Sequence, residues 1–227
     1  MLNTEITTII WDLDGTITDT LELHFTSFKQ ALTDYDFELT REKFLESFGK
    51  NNTEGLQAYY GRELDPEFIK EVSDKKEEIY RRLCKEFVKP IPGVVEWIDY
   101  FNKQGLKQAI GSSAPKENID VALDATNLRH YFKIAMAGAD LPSKPAPDLF
   151  LKVAGALGSQ PEECVVIEDA VAGVRAGNSA GMVTAGIVGT CSGEELPADL
   201  ILDDYLGSPA EFLEQVNRLM RIKFAKG

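Results

Sequence analysis

Ile6-Thr7-Thr8-Ile9-Ile10-Trp11-Asp12-Leu13-Asp14-Gly15-Thr16 is the stretch that decides the fold. Its apolar run, Ile6 to Trp11, is short and rich in β-branched residues, as expected of a strand buried on both faces. The run ends abruptly at Asp12, and a second carboxylate follows two residues later. Similar runs recur at Leu106 to Ile110, Lys133 to Met136, Cys164 to Ile167, Met182 to Val188 and Asp199 to Leu202. Helical patterns separate the later runs, at Val94 to Asn102, Lys116 to Leu123, Pro147 to Leu157 and Ala170 to Ala180, and another covers about Ser208 to Lys223. Strands alternating with helices predict parallel βαβ units covered on both faces.

From about Leu21 to Lys89 that rhythm stops, because the segment offers long helical patterns and no convincing strand. It reads as an all-helical insertion. Lys89-Pro90-Ile91-Pro92-Gly93 marks its end, since two prolines restrict the backbone and halt the preceding helix, and this segment is a candidate hinge. The fold class expected is therefore α/β, a Rossmann-like parallel sheet with helices on both faces, interrupted by a helical unit.

Composition narrows the function classes. The 227 residues are 44% hydrophobic and 27% charged, an ordinary globular balance. A formal net charge of −13 would repel nucleic acid and anionic membrane surfaces, both of which are bound chiefly through Lys and Arg on phosphates. No apolar run approaches the roughly 20 residues that cross a bilayer, and Asn3, Thr4 and Glu5 do not begin an export signal. Cys84, Cys164 and Cys191 are few, odd in number and scattered, which argues against a disulfide framework or a cysteine metal site. The expectation is a cytoplasmic protein with neither nucleic-acid nor membrane partners; oligomeric state is unreadable, and a monomer is compatible.

In open parallel sheets ligands bind beyond the carboxyl ends of the strands. The first strand is followed there by Asp12 and Asp14, the second by Ser112 and Ser113, the fourth by Glu168 and Asp169, and Lys144 sits in the loop after the third. Four acids meeting without a cation would repel, and hard oxygen ligands are what Mg²⁺ prefers, so a metal is expected. With Mg²⁺ and Lys144 offsetting charge, such an edge can hold and polarise a phosphoryl group. One carboxylate can serve as nucleophile while its neighbour handles the leaving-group proton. Taken singly the signals are bland: Asp-Gly is a common turn, Glu168-Asp169 could cap a helix, and a lone lysine is usually at the surface.

At these residues the sequence resembles the haloacid dehalogenase superfamily, mostly phosphatases, and within it the β-phosphoglucomutase-like branch. The motifs are Asp12-Leu13-Asp14-Gly15-Thr16, Ser112 after Gly111, Lys144-Pro145-Ala146-Pro147-Asp148, and Glu168-Asp169 leading into Ala170-Val171-Ala172-Gly173. All four stand in the family's order, and the resemblance covers nearly the whole chain. It implies that Asp12 becomes an aspartyl-phosphate, that Asp14 is the general acid and base, and that Ser112 and Lys144 hold phosphoryl oxygens. It further implies Mg²⁺ bound by Asp12, the Asp14 carbonyl and Asp169, with Glu168 in contact with the metal or just behind it. Residues 1–18 and 92–227 would form the core domain, and residues 19–91 a helical cap domain that closes over it.

The resemblance also points to substrate contacts at Thr16, His24, Gly49, Lys50, Asn51, Asn52, Lys76, Ser113 and Ala114. Where the mutases carry an arginine for the non-transferring phosphate, this chain has Asn52, which lacks the charged bidentate grip. Thr16 likewise matches the phosphatases, the mutases having valine there. The expected function is a Mg²⁺-dependent phosphatase acting on a small phosphomonoester, a sugar phosphate or similar metabolite. The alternative is a β-phosphoglucomutase-type mutase, with Lys50 or Lys76 supplying the missing charge. A dehalogenase needs neither Asp14 nor the metal cluster, and a catalytically silent binding module would have lost some of these residues.

Overall fold

The computed structural model describes residues 5–47 and 50–224. In chain order it runs β1 (Thr8–Trp11), β2 (Thr18–Asp19), α1 (Leu21–Leu32), α2 (Arg41–Ser47), α3 (Asn52–Tyr60), α4 (Pro66–Phe87) and β3 (Lys89–Pro90). There follow α5 (Val94–Lys103), β4 (Lys107–Ser112), α6 (Lys116–Ala125), β5 (Ile134–Ala137), α7 (Asp148–Ala156), β6 (Cys164–Glu168), α8 (Val171–Ser179), β7 (Val183–Ile187), β8 (Leu200–Leu202) and α9 (Pro209–Phe224). Each apolar run read as a strand forms one, with ends shifted by one or two residues.

Six strands make a sheet in the order β5-β4-β1-β6-β7-β8, paired in parallel throughout. Side chains alternate across it, as the twofold strand period requires. Ile9 and Trp11 of β1 join a core built with α5, α6 and α9, through Trp97, Phe101, Ile119, Phe212 and Val216. Ile10 faces the opposite side, where Leu149, Phe150 and Val153 of α7 and Ala176 of α8 cover it. Burial on both faces is why β1 is apolar at successive positions instead of alternating.

Because β4 follows β1 on one side and β6 flanks it on the other, the strand order reverses at β1. Such a switch point opens a crevice at the carboxyl edge. Register aligns the three strands there, with Trp11 opposite both Ile110 and Ile167. Asp12 therefore emerges level with Glu168 and with Gly111, and Ser112 follows one residue further along β4.

Helices α1 to α4 pack on a core of their own, including Phe28, Leu32, Phe44, Leu56, Tyr59 and Val72. The chain enters and leaves this helical unit along one antiparallel ribbon, β2 against β3, with Thr18 opposite Pro90 and Asp19 opposite Lys89. The segment read as a hinge is thus half of a two-stranded connection. Asp65 caps α4, accepting the Glu67 and Phe68 N–H groups ahead of Pro66, which lacks an N–H to satisfy. Among the described residues, no helix is long and apolar enough to cross a membrane.

Candidate active site

Asp12 is buried at the end of β1, its N–H donating to Ile167 O at 2.9 Å. Its Oδ1 accepts Lys144 Nζ at 2.7 Å, and the same ammonium reaches Glu168 Oε1 at 2.8 Å. Glu168 is occupied at both oxygens, since Oε2 accepts the Ala170 N–H at 2.6 Å. Asp169 is held by two hydroxyls, Thr16 Oγ1 at 3.1 Å on Oδ1 and Thr190 Oγ1 on Oδ2.

Two glycines let the backbone come this close. Gly15 has φ +83°, and a Cβ there would lie 2.2 Å from Asp169 Oδ2. A Cβ at Gly173 would lie 1.7 Å from Glu168 Oε1. Gly15 is thus required by its turn geometry as well as by contact with a carboxylate, and Gly173, inside α8, by contact alone.

The charges do not balance. Burial pushes the Asp12 carboxyl well above the usual range; Lys144 opposes this, while Glu168 and Asp169 add to it. Burial and then Glu168 raise Asp169 to about 7, against the hydroxyls of Thr190 and Thr16. Burial alone would lower Lys144, but the charges of Asp12 and Glu168 hold it above its ordinary value. One ammonium facing three carboxylates leaves an excess of negative charge in a desolvated pocket.

Asp14 points elsewhere. Its Oδ1 accepts Thr20 Oγ1 at 2.7 Å and Tyr80 OH at 3.1 Å, with His24 Nε2 at 3.4 Å, so it faces α1 and α4. Burial would raise its carboxyl, but the bonds from His24, Thr20 and Tyr80 outweigh burial and bring it to about 2. His24 stacks on Tyr80 with ring centroids 4.2 Å apart, and burial followed by the Lys76 charge keeps its imidazole below the ordinary range.

A cavity of about 250 Å³ lies between the sheet edge and the helical unit, lined by Asp12, Asp14, Ser112, Lys144, Glu168 and Asp169 on the sheet side. Its size, just under the roughly 300 Å³ at which drug-sized pockets begin, suits a metabolite. Residues 9–187 match the family of haloacid dehalogenase-like hydrolases. The chain belongs to that family. It is 30% identical over 179 residues to a phosphorylated carbohydrates phosphatase of Thermotoga maritima, covering 77% of this chain and 81% of that one. With the fructose-1-phosphate phosphatase YqaB of Escherichia coli it shares 31% identity over 178 residues, 77% of this chain and 92% of the other. Among solved structures, CbbY from Rhodobacter sphaeroides in complex with phosphate superposes with a TM-score of 0.81 at 26% identity, covering 88% of this chain and 95% of that one.

In this hydrolase the remaining sequence candidates divide by position. Ser112 is buried, its Oγ accepting the Ala114 N–H at 3.1 Å, and Ser113 and Ala114 line the cavity beside it. From the helical unit come His24, Lys50, Asn51, Asn52 and Lys76. Asn51 caps α3 by accepting the Glu54 N–H at 2.9 Å, and its Nδ2 reaches Ser143 Oγ, next to Lys144, at 3.4 Å. Gly49 lies outside the described residues. Thr16 is fully buried and is not among the cavity-lining residues; its hydroxyl serves Asp169.

Other cavity neighbours carried no sequence signal strong enough to single them out. Glu77, Asn118, Phe28, Phe44 and Tyr59 also line the space, and Thr20, Tyr80 and Thr190 hold its carboxylates. One trace was available: Val72, Lys76, Tyr80 and Cys84 recur at four-residue spacing, which put a lysine on the buried stripe of α4.

Proposed function

We propose that this hydrolase is a Mg²⁺-dependent phosphatase of small phosphomonoesters, sugar phosphates or similar metabolites, acting through an aspartyl-phosphate at Asp12. The observation that carries the reading is the buried Asp12 carboxylate, held 2.7 Å from Lys144 in one cavity with Ser112 and Asp169. Relatives named for phosphorylated carbohydrates and for fructose 1-phosphate support the substrate class. Fold alone would not, since one fold serves many chemistries.

In the reaction, an Asp12 oxygen attacks phosphorus as the bond to the leaving oxygen breaks, and Asp14 gives that oxygen a proton. Water then attacks the aspartyl-phosphate, Asp14 takes its proton, and phosphate departs from Asp12. Lys144 and Ser112 hold phosphoryl oxygens, and Glu168, with both its oxygens engaged, positions Lys144. In the arrangement described, Asp14 is ionised and suited to the second step. To act as acid it must first give up the donors Thr20, His24 and Tyr80, an exchange that binding of substrate against the helical unit would drive. Residues 19–91 act as the cap that excludes water from the first step.

The donor set fits Mg²⁺. Oxygen ligands predominate, and the excess negative charge at Asp12 and Asp169 matches a divalent cation. Among the described residues, no group of three or more His, Cys, Asp or Glu side chains is arranged to hold a metal by itself; Asp12 and Asp169 would be its side-chain ligands, with the Asp14 carbonyl that the family resemblance implies and water completing the set. When bound, the metal supplies charge neutralisation to Asp12 and polarises the phosphoryl group. Phosphate release from a panel of phosphomonoesters should require Mg²⁺ and vanish on chelation; undiminished release in excess chelator would defeat this reading.

Stability gives an independent handle. Asp169, at about 7 in the folded protein, lies above its unfolded value of 3.8, so the native state binds more protons between those limits. Stability of the metal-free protein should therefore fall as pH rises from about 4 to 7, by on the order of 1–4 kcal/mol. Added Mg²⁺ should raise the melting temperature more at pH 8 than at pH 5, because it binds the deprotonated carboxylates. A larger gain at pH 5 would contradict the ligand assignment.

A further inference from the structure

On the cap side of the cavity the buried lysine is already claimed by its neighbour. Lys76 and Glu77 are successive buried residues of α4, with Lys76 Nζ 2.8 Å from Glu77 Oε1. That oxygen also accepts Asn52 Nδ2 at 2.8 Å, and Oε2 accepts Asn118 Nδ2 of α6 at 2.6 Å. Arg81, one turn further along α4, reaches Asn118 Oδ1 at 3.3 Å. Lys76 Nζ stands 4.9 Å from the Phe28 ring centroid and 5.3 Å from that of Tyr80. Lys76, Glu77, Asn52, Asn118 and Phe28 all line the cavity.

Burial would raise the Glu77 carboxyl, but the Lys76 charge, with bonds from Lys76, Asn118 and Asn52, holds it below the ordinary range. Lys76 and Glu77 thus form a buried ion pair that is electrically closed on itself. A phosphate dianion brought to Lys76 would meet a carboxylate at the same point, and like charges juxtaposed in a desolvated site repel strongly. A hydroxyl brings no charge; it can accept from Lys76 or Asn52 and donate to Glu77. Lys50, the other cap-side lysine among the described lining residues, is exposed, where screening weakens its attraction.

Resting on the phosphatase reading above, we propose that Glu77 determines specificity: with Lys76, Asn52 and Asn118 it forms a hydroxyl-binding subsite that accepts the uncharged, hydroxylated part of a monophosphate and rejects a second phosphate. Such a subsite would let a chain with a lysine in the cap cavity discriminate against bisphosphates.

The test is calorimetric binding, in the presence of Mg²⁺, of matched pairs such as glucose 1-phosphate with glucose 1,6-bisphosphate and fructose 1-phosphate with fructose 1,6-bisphosphate. The protein is the full chain carrying Asp12→Asn, with and without Glu77→Gln. With Glu77 present the monophosphate should bind more tightly, and Glu77→Gln should move the ratio of affinities toward the bisphosphate by roughly tenfold or more. Glu77 also bridges α4 to α6, and a bridge alone would weaken both ligands equally. An unchanged ratio, a uniform loss, or no binding of any pair overturns the subsite. Glu77→Ala, which also removes the charge, should shift the ratio the same way if the glutamine variant fails to fold. Turnover by the unmutated protein is scored separately: absence of phosphate release from every monoester defeats the phosphatase reading, whatever the ratio.

Discussion

Asp12→Asn should lower turnover by on the order of 10⁴-fold or more, since losing the proposed nucleophile would leave only binding and charge stabilisation. The substitution keeps volume and shape but replaces the attacking carboxylate with an amide. Folding should survive. Lys144 retains Glu168 at 2.8 Å, and the amide oxygen can still accept from the ammonium. One of the mutually repelling charges disappears as well, so the metal-free variant should melt no lower than the parent above pH 7, where Asp12 and Asp169 are most costly to ionise. Phosphate release from p-nitrophenyl phosphate and a thermal melt check both halves. Near-normal turnover would refute the mechanism, whereas loss of the fold would refute the charge argument.

Asp14→Ala should divide the two halves of the reaction. A nitrophenolate leaves with little need of a proton, so capture of phosphate by Asp12 from the activated ester should remain fast. An alkyl ester needs the acid, and its first step should slow by about 10²- to 10⁴-fold. Water attack on the aspartyl-phosphate loses its base in either case, so the variant should release nitrophenolate in a burst of about one per active site, followed by a slow steady rate. The alanine also removes an acceptor shared by Thr20, Tyr80 and His24, at some cost to the packing of α1 and α4 over the site. A thermal melt separates that cost from chemistry. Equal slowing of the first step on both esters, with no burst, would contradict the acid role.

The sheet was legible first at β1, which is buried on both faces: Ile9, Ile10 and Trp11 leave no polar position to blur the run. The edge residues followed, since a parallel sheet sends the residue after each strand to one side. The two-residue ribbon of β2 and β3 was not legible as strand, because neither partner has length enough to show a period. Orientation was also hidden. That Asp14 turns toward Tyr80, 66 residues away, depends on how α4 packs over the sheet edge. Thr16, read as a substrate contact, instead donates to Asp169 across 153 residues, a pairing no local pattern can reveal. Glu77 was passed over for the same reason, as its partners Asn52 and Asn118 come from helices before and after it.

The central claim is the covalent bond between Asp12 and phosphorus. Its most direct test is rapid acid quenching of the Asp14→Ala protein during the nitrophenolate burst, with Mg²⁺ present, followed by peptide mass mapping. The account predicts one phosphoryl group on the peptide containing Asp12, removed by hydroxylamine and absent when Asp12→Asn is combined with Asp14→Ala. A nitrophenolate burst with no phosphoryl group on that peptide at any quench time would contradict it.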